Sequence, residues 1–195
     1  MSYQEELIKN LREVKEEKID YFNVENDIEK GYIIVKYEKL LLEEKNLYED
    51  KLKIILPKDF DLMNDDLLNS KYPSNEELDY VYTSEDTTVN FNFSLEEGEI
   101  LNEEVEEIRD IILNEFTRMY PHSEMEDIKI IEKENKKIGT FSFVVNVIDG
   151  ELFNKMYFIP LKMGLLILTF SCDIFQKKEW ENILDDIILT IEEKE

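Results

Sequence analysis

The side chains that could do chemistry are few. His122 is the single histidine and directly follows Pro121; Cys172 is the single cysteine and closes the run LLILTFSC. A cysteine nucleophile needs a base within hydrogen-bond reach and a third group to orient that base. A Pro-His-Ser corner is the ordinary setting of a turn residue, and a thiol ending the most apolar run is expected to be buried and inert. No GxSxG, HExxH, GxGxxG or Walker loop occurs, and five glycines leave little for a phosphate cradle. Neither catalysis nor a cofactor is therefore expected. The acids of DFDLMNDD (Asp59, Asp61, Asp65 and Asp66) are dense enough to suggest a hard cation. An EF-hand loop would need an oxygen ligand where Met63 stands and a glycine where Asn64 stands, so that pattern fails. A non-standard calcium or magnesium site competes with the plainer reading, in which these acids cap turns or face water, and no metal is expected.

Elements must position whatever function remains, and composition bounds them. The 195 residues carry 43% hydrophobic and 11% aromatic side chains, enough for one substantial core. Alanine is absent and only Arg12, Arg109 and Arg118 among the basic residues are arginines, which fits the coding bias of an AT-rich bacterial genome. The formal net charge of -24 repels phosphate backbones and anionic headgroups. Nucleic acid and membrane surfaces are thus excluded as expected partners, while a basic protein is admitted. One cysteine allows no internal disulfide and suits a reducing compartment. The N-terminus shows no apolar signal segment, and no apolar run is long enough to span a bilayer. A cytoplasmic protein, not embedded in a membrane, is the expectation.

Periodicity sets the elements. Tyr3, Leu7, Leu11 and Val14 predict an amphipathic helix over about residues 3–19. The stretch from Gly31 to Phe60 reads as strand, charged turn, strand, ending at Pro57. LPKDFDLMNDDLLNSKYPS follows as a connection, with Leu62, Met63, Leu67 and Leu68 folding down as one short helical turn. Residues 78–82 and 88–93 predict a hairpin in which Val89, Phe91 and Phe93 share a face. Val105, Ile108, Ile112, Phe116 and Met119 make the seam of a helix over 101–120, acidic at its start. Strands over 128–131, 137–148 and 152–159 follow, with Asp149-Gly150 as a type I′ turn. Phe141, Phe143, Val145 and Val147 share one face of the longest of them. LLILTFSC, apolar on both faces, belongs at the sheet centre. Trp180, Ile183, Leu184, Ile187, Ile188 and Ile191 give a last helix a broad apolar stripe.

The order KLKIILPKDF, a KYP loop, VNFNF, LNEEVEEIRDIILNEF, GTFSFVVNVIDGELFNKMYFIP, GLLILTFSC and a Trp180-bearing terminal helix resembles the PsbP/DcrB-like fold. The resemblance covers about three-quarters of the chain and rests on element order. It implies an α+β protein whose antiparallel sheet is sandwiched by two long helices. Residues 1–48 would form an N-terminal helix-and-strand extension and residues 49–195 the domain. It also implies a largely non-enzymatic, protein-binding role, with an adaptor or chaperone for a secreted toxin as its sharpest form. On that reading an apolar groove on the sheet is expected, lined by Val89, Phe91, Phe93, Phe141, Phe143 and Val145, with Tyr72 nearby, and a homodimer is admitted. The partner would present an apolar segment or a basic surface. An immunity-type inhibitor that blocks a cationic toxin through the acidic surface is the alternative; a small-ligand enzyme is a further one.

Overall fold

The computed structural model describes residues 26–73, 77–148 and 150–194. The expected helix over 3–19 and Asp149 of the expected turn lie outside them. Two antiparallel sheets and three helices make up the described chain. The smaller sheet has the order β1 (Tyr32–Val35), β2 (Glu38–Leu47), β3 (Leu52–Pro57) and β11 (Glu192–Glu193). The seven-stranded sheet has the order β4 (Asp61–Leu62), β5 (Tyr80–Thr83), β6 (Val89–Glu96), β10 (Gly164–Asp173), β9 (Gly150–Leu161), β8 (Lys136–Val147) and β7 (Met125–Lys133). Helix α1 (Asp65–Lys71) follows β4, α2 (Val105–Met119) joins β6 to β7, and α3 (Lys177–Ile188) follows β10 through a 3-10 turn, Ile174–Gln176.

The small sheet corrects the sequence reading of residues 31–60. A third strand, β2, occupies the supposed charged turn. Its Glu and Lys residues hide an alternation in which Leu40 and Leu42 pack on the core. The β1–β2 connection is a two-residue turn, Lys36-Tyr37, with φ of 50° and 65°. Those are type I′ angles, supplied here by residues that seldom adopt them. Ile33, Val35 and Leu47 join the same core as Phe91, Phe170 and Trp180.

Strand register assigns every side chain of the large sheet to a face. In β10, which is central as expected, Leu166, Leu168, Phe170 and Cys172 pair with Leu95, Phe93, Phe91 and Val89 of β6. This face meets α3 and the small sheet; Trp180 packs against Phe60, Phe91 and Phe170 with ring centroids 5.9, 6.1 and 5.3 Å away. On the other face Phe141, Phe143, Met156, Phe158 and Leu165 form a second cluster against Ile108, Ile112, Leu113 and Phe116 of α2. The described chain is thus an α+β body in which α2 packs on one face of the large sheet and α3, beside a second sheet, on the other. The seam predicted for α2 also needs revision. Met119 is exposed, while Arg109 is buried because Gly139 beneath it has no side chain: a Cβ there would sit 3.1 Å from Arg109 Cβ.

Candidate functional site

The expected groove is filled. Val89, Phe91 and Phe93 lie under Trp180 and α3, whereas Phe141 and Phe143 lie under Phe116 on the opposite face, so the two sets never line one surface. These five side chains are buried and Val145 is half-buried. Alternation made them one face of a strand; the helices then covered it. Tyr72 caps the C-terminus of α1 and is half-buried. Burial pushes its phenol pKa up, against the side-chain hydrogen bonds of Asn92 and Ser171 on β6 and β10.

The chemistry-bearing residues do not converge. Cys172 is fully buried on the Trp180 face, and burial, helped by the nearby acids Asp173 and Glu179, pushes its thiol up to about 12. His122 is exposed in the turn between α2 and β7, and no hydrogen bond joins the two among the described residues. Asp59, Asp61, Asp65 and Asp66 are exposed; the last two occupy the first turn of α1, where Asn64 Oδ1 accepts from Leu67 N at 3.0 Å. No group of three or more His, Cys, Asp or Glu side chains among the described residues could hold a metal ion.

The fold assembles a charged cluster that no motif announces. Lys155, on β9 and only 2% exposed, points its ammonium at Asp127 Oδ2 and Asp185 Oδ1, each 2.7 Å away. Tyr157 Oη donates to Asp185 Oδ1 at 2.8 Å, and Lys129 Nζ reaches Asp185 Oδ2 at 2.7 Å and Asp127 Oδ1 at 3.0 Å. Asp127 reaches this position from a bulge in β7, with φ of 48°. Burial pushes the Asp185 carboxyl up, but hydrogen bonds from Lys129, Lys155 and Tyr157 outweigh it and hold it below the usual carboxylate range. Burial, then Asp185, drives the Tyr157 phenol well above its ordinary value. With both carboxylates paired and Lys155 sealed, the cluster ties α3 to β7 and β9.

What remains open is the surface. Ile148 is fully exposed at the β8–β9 hairpin tip beside Val147, and Phe175, 88% exposed, stands in the 3-10 turn after β10. Pairing of Leu152 with both Asp173 and Val145 puts these at one end of the large sheet. Exposed Met119 and Tyr120 lie toward the same end, Tyr120 stacked on Phe143 at 5.8 Å. Isolated exposed apolar residues are ordinary; several at one end of the sheet make that end the candidate contact surface. Sequence reasoning missed it, since Val147 read as a core position and Phe175 fell between elements.

Comparison with solved structures identifies the fold. The cyanobacterial PsbP of Synechocystis (CyanoP) superposes with a TM-score of 0.59 at 10% identity, covering 78% of this chain and 92% of that one. The Saccharomyces cerevisiae Ran-binding protein Mog1p gives 0.52 at 11% identity, over 78% and 95%. A protein from Bacteroides thetaiotaomicron gives 0.54 at 11%, over 78% of this chain and 48% of that chain. No protein-family model matches the sequence, and no curated protein does.

Proposed function

We propose that this PsbP-like chain is a non-enzymatic accessory protein that works by binding another protein. The observation that carries the reading is the exposed apolar end of the large sheet, where Ile148 and Phe175 have no cover among the described residues. A protein of net charge -24 gains nothing in solubility from such residues. The likeness of fold to a Ran-binding protein supports a binding role. The finer form, a cytoplasmic adaptor or chaperone for a secreted toxin, draws on the resemblance of element order and on the apolar character of this end, which suits an apolar segment of a client. No helix among the described residues is long and apolar enough to cross a membrane.

Site-specific photo-crosslinking tests the reading. A crosslinking amino acid replacing Ile148 or Phe175 should give one discrete protein adduct in native lysate, and the same group replacing Glu103 should give none. I148D with the crosslinker at position 175, and F175D with it at position 148, should abolish that adduct while leaving the thermal midpoint within a few degrees, since both positions are exposed. Equal, diffuse labelling from all three positions would refute the assignment. An adduct of twice the chain mass would replace it with a homodimer.

A further inference from the structure

A second surface lies at the opposite end of β10 from the apolar one: Met163 precedes that strand and Phe175 follows it. Beside Met163 a cleft of about 510 Å³ opens between the β2–β3 turn, the start of β5 and the end of β6. That volume lies within the range of about 300–1,000 Å³ seen for built ligand sites. Tyr48, Tyr80, Leu95 and Met163 line it, each half-buried rather than sealed. Glu49, Glu97 and Lys51 complete the lining, a net charge of -1 (one positive, two negative). Lys51 Nζ stands 3.6 Å from Glu49 Oε2, whereas the Glu97 carboxylate makes no hydrogen bond or ion pair among the described residues.

The two tyrosine rings are locked before any ligand arrives. They meet edge to face, with centroids 5.1 Å apart and planes at 86°. Tyr48 N–H donates to Tyr80 Oη at 3.2 Å, and Tyr48 Oη donates to Asp79 Oδ2 at 2.8 Å. The same Asp79 oxygen accepts from Leu95 N at 2.8 Å, which ties β6 into the arrangement. Tyr48, Glu49 and Asp50 hold φ of 52°, 56° and 66°, a run of left-handed backbone that residues other than glycine seldom adopt. Such backbone persists only where surrounding contacts over-determine it, and it recurs at ligand clamps. Side chains fixed in advance lose little rotamer freedom on binding.

We infer that this cleft takes a methylated ammonium group, with the cation against the Tyr48 and Tyr80 rings, its methyl groups on Leu95 and Met163, and Glu97 as counter-charge. Aromatic rings attract such cations, and the methyl groups bring apolar area to the half-buried walls. The bare ammonium of lysine is compact and strongly hydrated, and it would lose that hydration against the same walls. A hard metal ion wants a shell of oxygen ligands, which two carboxylates beside aromatic rings do not supply. A free choline-like molecule and a methylated lysine of another protein share this chemistry.

Ligand-observed proton NMR reads the cleft, because N-methyl protons over a tyrosine ring shift upfield. Choline and N-acetyl-trimethyllysine amide should each show a saturable upfield shift with the full chain, and the tighter binder names the source. The neutral isostere of choline, with a tert-butyl group in place of trimethylammonium, should bind about tenfold more weakly. N-acetyl-lysine amide and N-acetyl-arginine amide should show no saturable shift. Y80L should weaken choline about fivefold. E97Q, at an exposed position, should weaken it about threefold, and E103Q on α2 should leave it unchanged. The ligand comparisons on the unaltered protein stand whether or not Y80L folds. Equal binding of the neutral isostere would reduce the cleft to an apolar crevice and overturn the inference. Equal weakening by E97Q and E103Q, or equal binding of the unmethylated amides, would show attraction to the acidic surface at large and overturn it too. No upfield shift from either methylated ligand would overturn it outright. No arm involves Ile148 or Phe175, so failure here leaves the apolar-end reading standing.

Discussion

Lys155 shows how much one residue can decide. An ammonium removed from water is tolerable only with its charge compensated, and here Asp127 and Asp185 both face it at 2.7 Å. Replacing Asp185 with Asn should cost about 3 kcal/mol in urea unfolding, the scale for breaking a buried pair. Because the folded-state pKa of Asp185 is depressed, its contribution is full above the unfolded-chain value of about 3.9 and fades as pH falls through the folded value. The acid limb of the stability profile should therefore flatten in D185N; an unchanged limb would place acid sensitivity elsewhere. Lys129 works at the other end: burial lowers its pKa, but Asp185 and Asp127 raise it by more. Its contribution is thus complete below about 10.4 and lost as pH rises through the folded value. Cys172, buried with its thiol pushed up to about 12, should resist an aromatic disulfide reagent at neutral pH and react fully in urea. Reaction of the native protein at the urea rate would contradict its burial.

Between elements, two glycines set the closest approaches. Gly164 turns β9 into β10 with φ of 146°, and a Cβ there would meet Glu96 O at 2.2 Å. Gly139 lets α2 settle on β8, where a Cβ would meet Arg109 and Val105 at 3.1 and 3.3 Å. G164A should destabilise more than G139A, because it adds backbone strain to a backbone clash, whereas Arg109 and Val105 can yield. Overpacking of about 1–3 kcal/mol is expected for G139A, and more for G164A, by chemical denaturation. The reverse order would mean that β10 can shift against β6. The helices and the central strand were legible in the sequence because 3.6- and 2-residue periodicities are local. Strand β2 was not, since Glu and Lys on its solvated side mask the leucines. Helix α1 was legible as a single turn and proves to have two.

The whole molecule carries its charge unevenly balanced against its core. Screening should relieve the self-repulsion of a -24 chain, so the thermal midpoint should rise between about 10 mM and 500 mM sodium chloride as the Debye length falls from about 30 Å to under 8 Å. A falling midpoint would show that ion pairs such as those of Lys155 outweigh the repulsion. The sequence by itself determined the order of elements from residue 50 onward, the central place of β10 and the apolar stripe of α3, since each depends on neighbours a few residues apart. Only the tertiary structure decided which strand faces are covered, which apolar residues are left outside and where the charges meet. Phe91 and Phe141 alternate like surface-capable residues until α3 and α2 close over them. Lys155 looks solvated until Asp185, 30 residues away, arrives beside it. Burial and charge pairing are set by contacts between distant segments, and no local pattern encodes those.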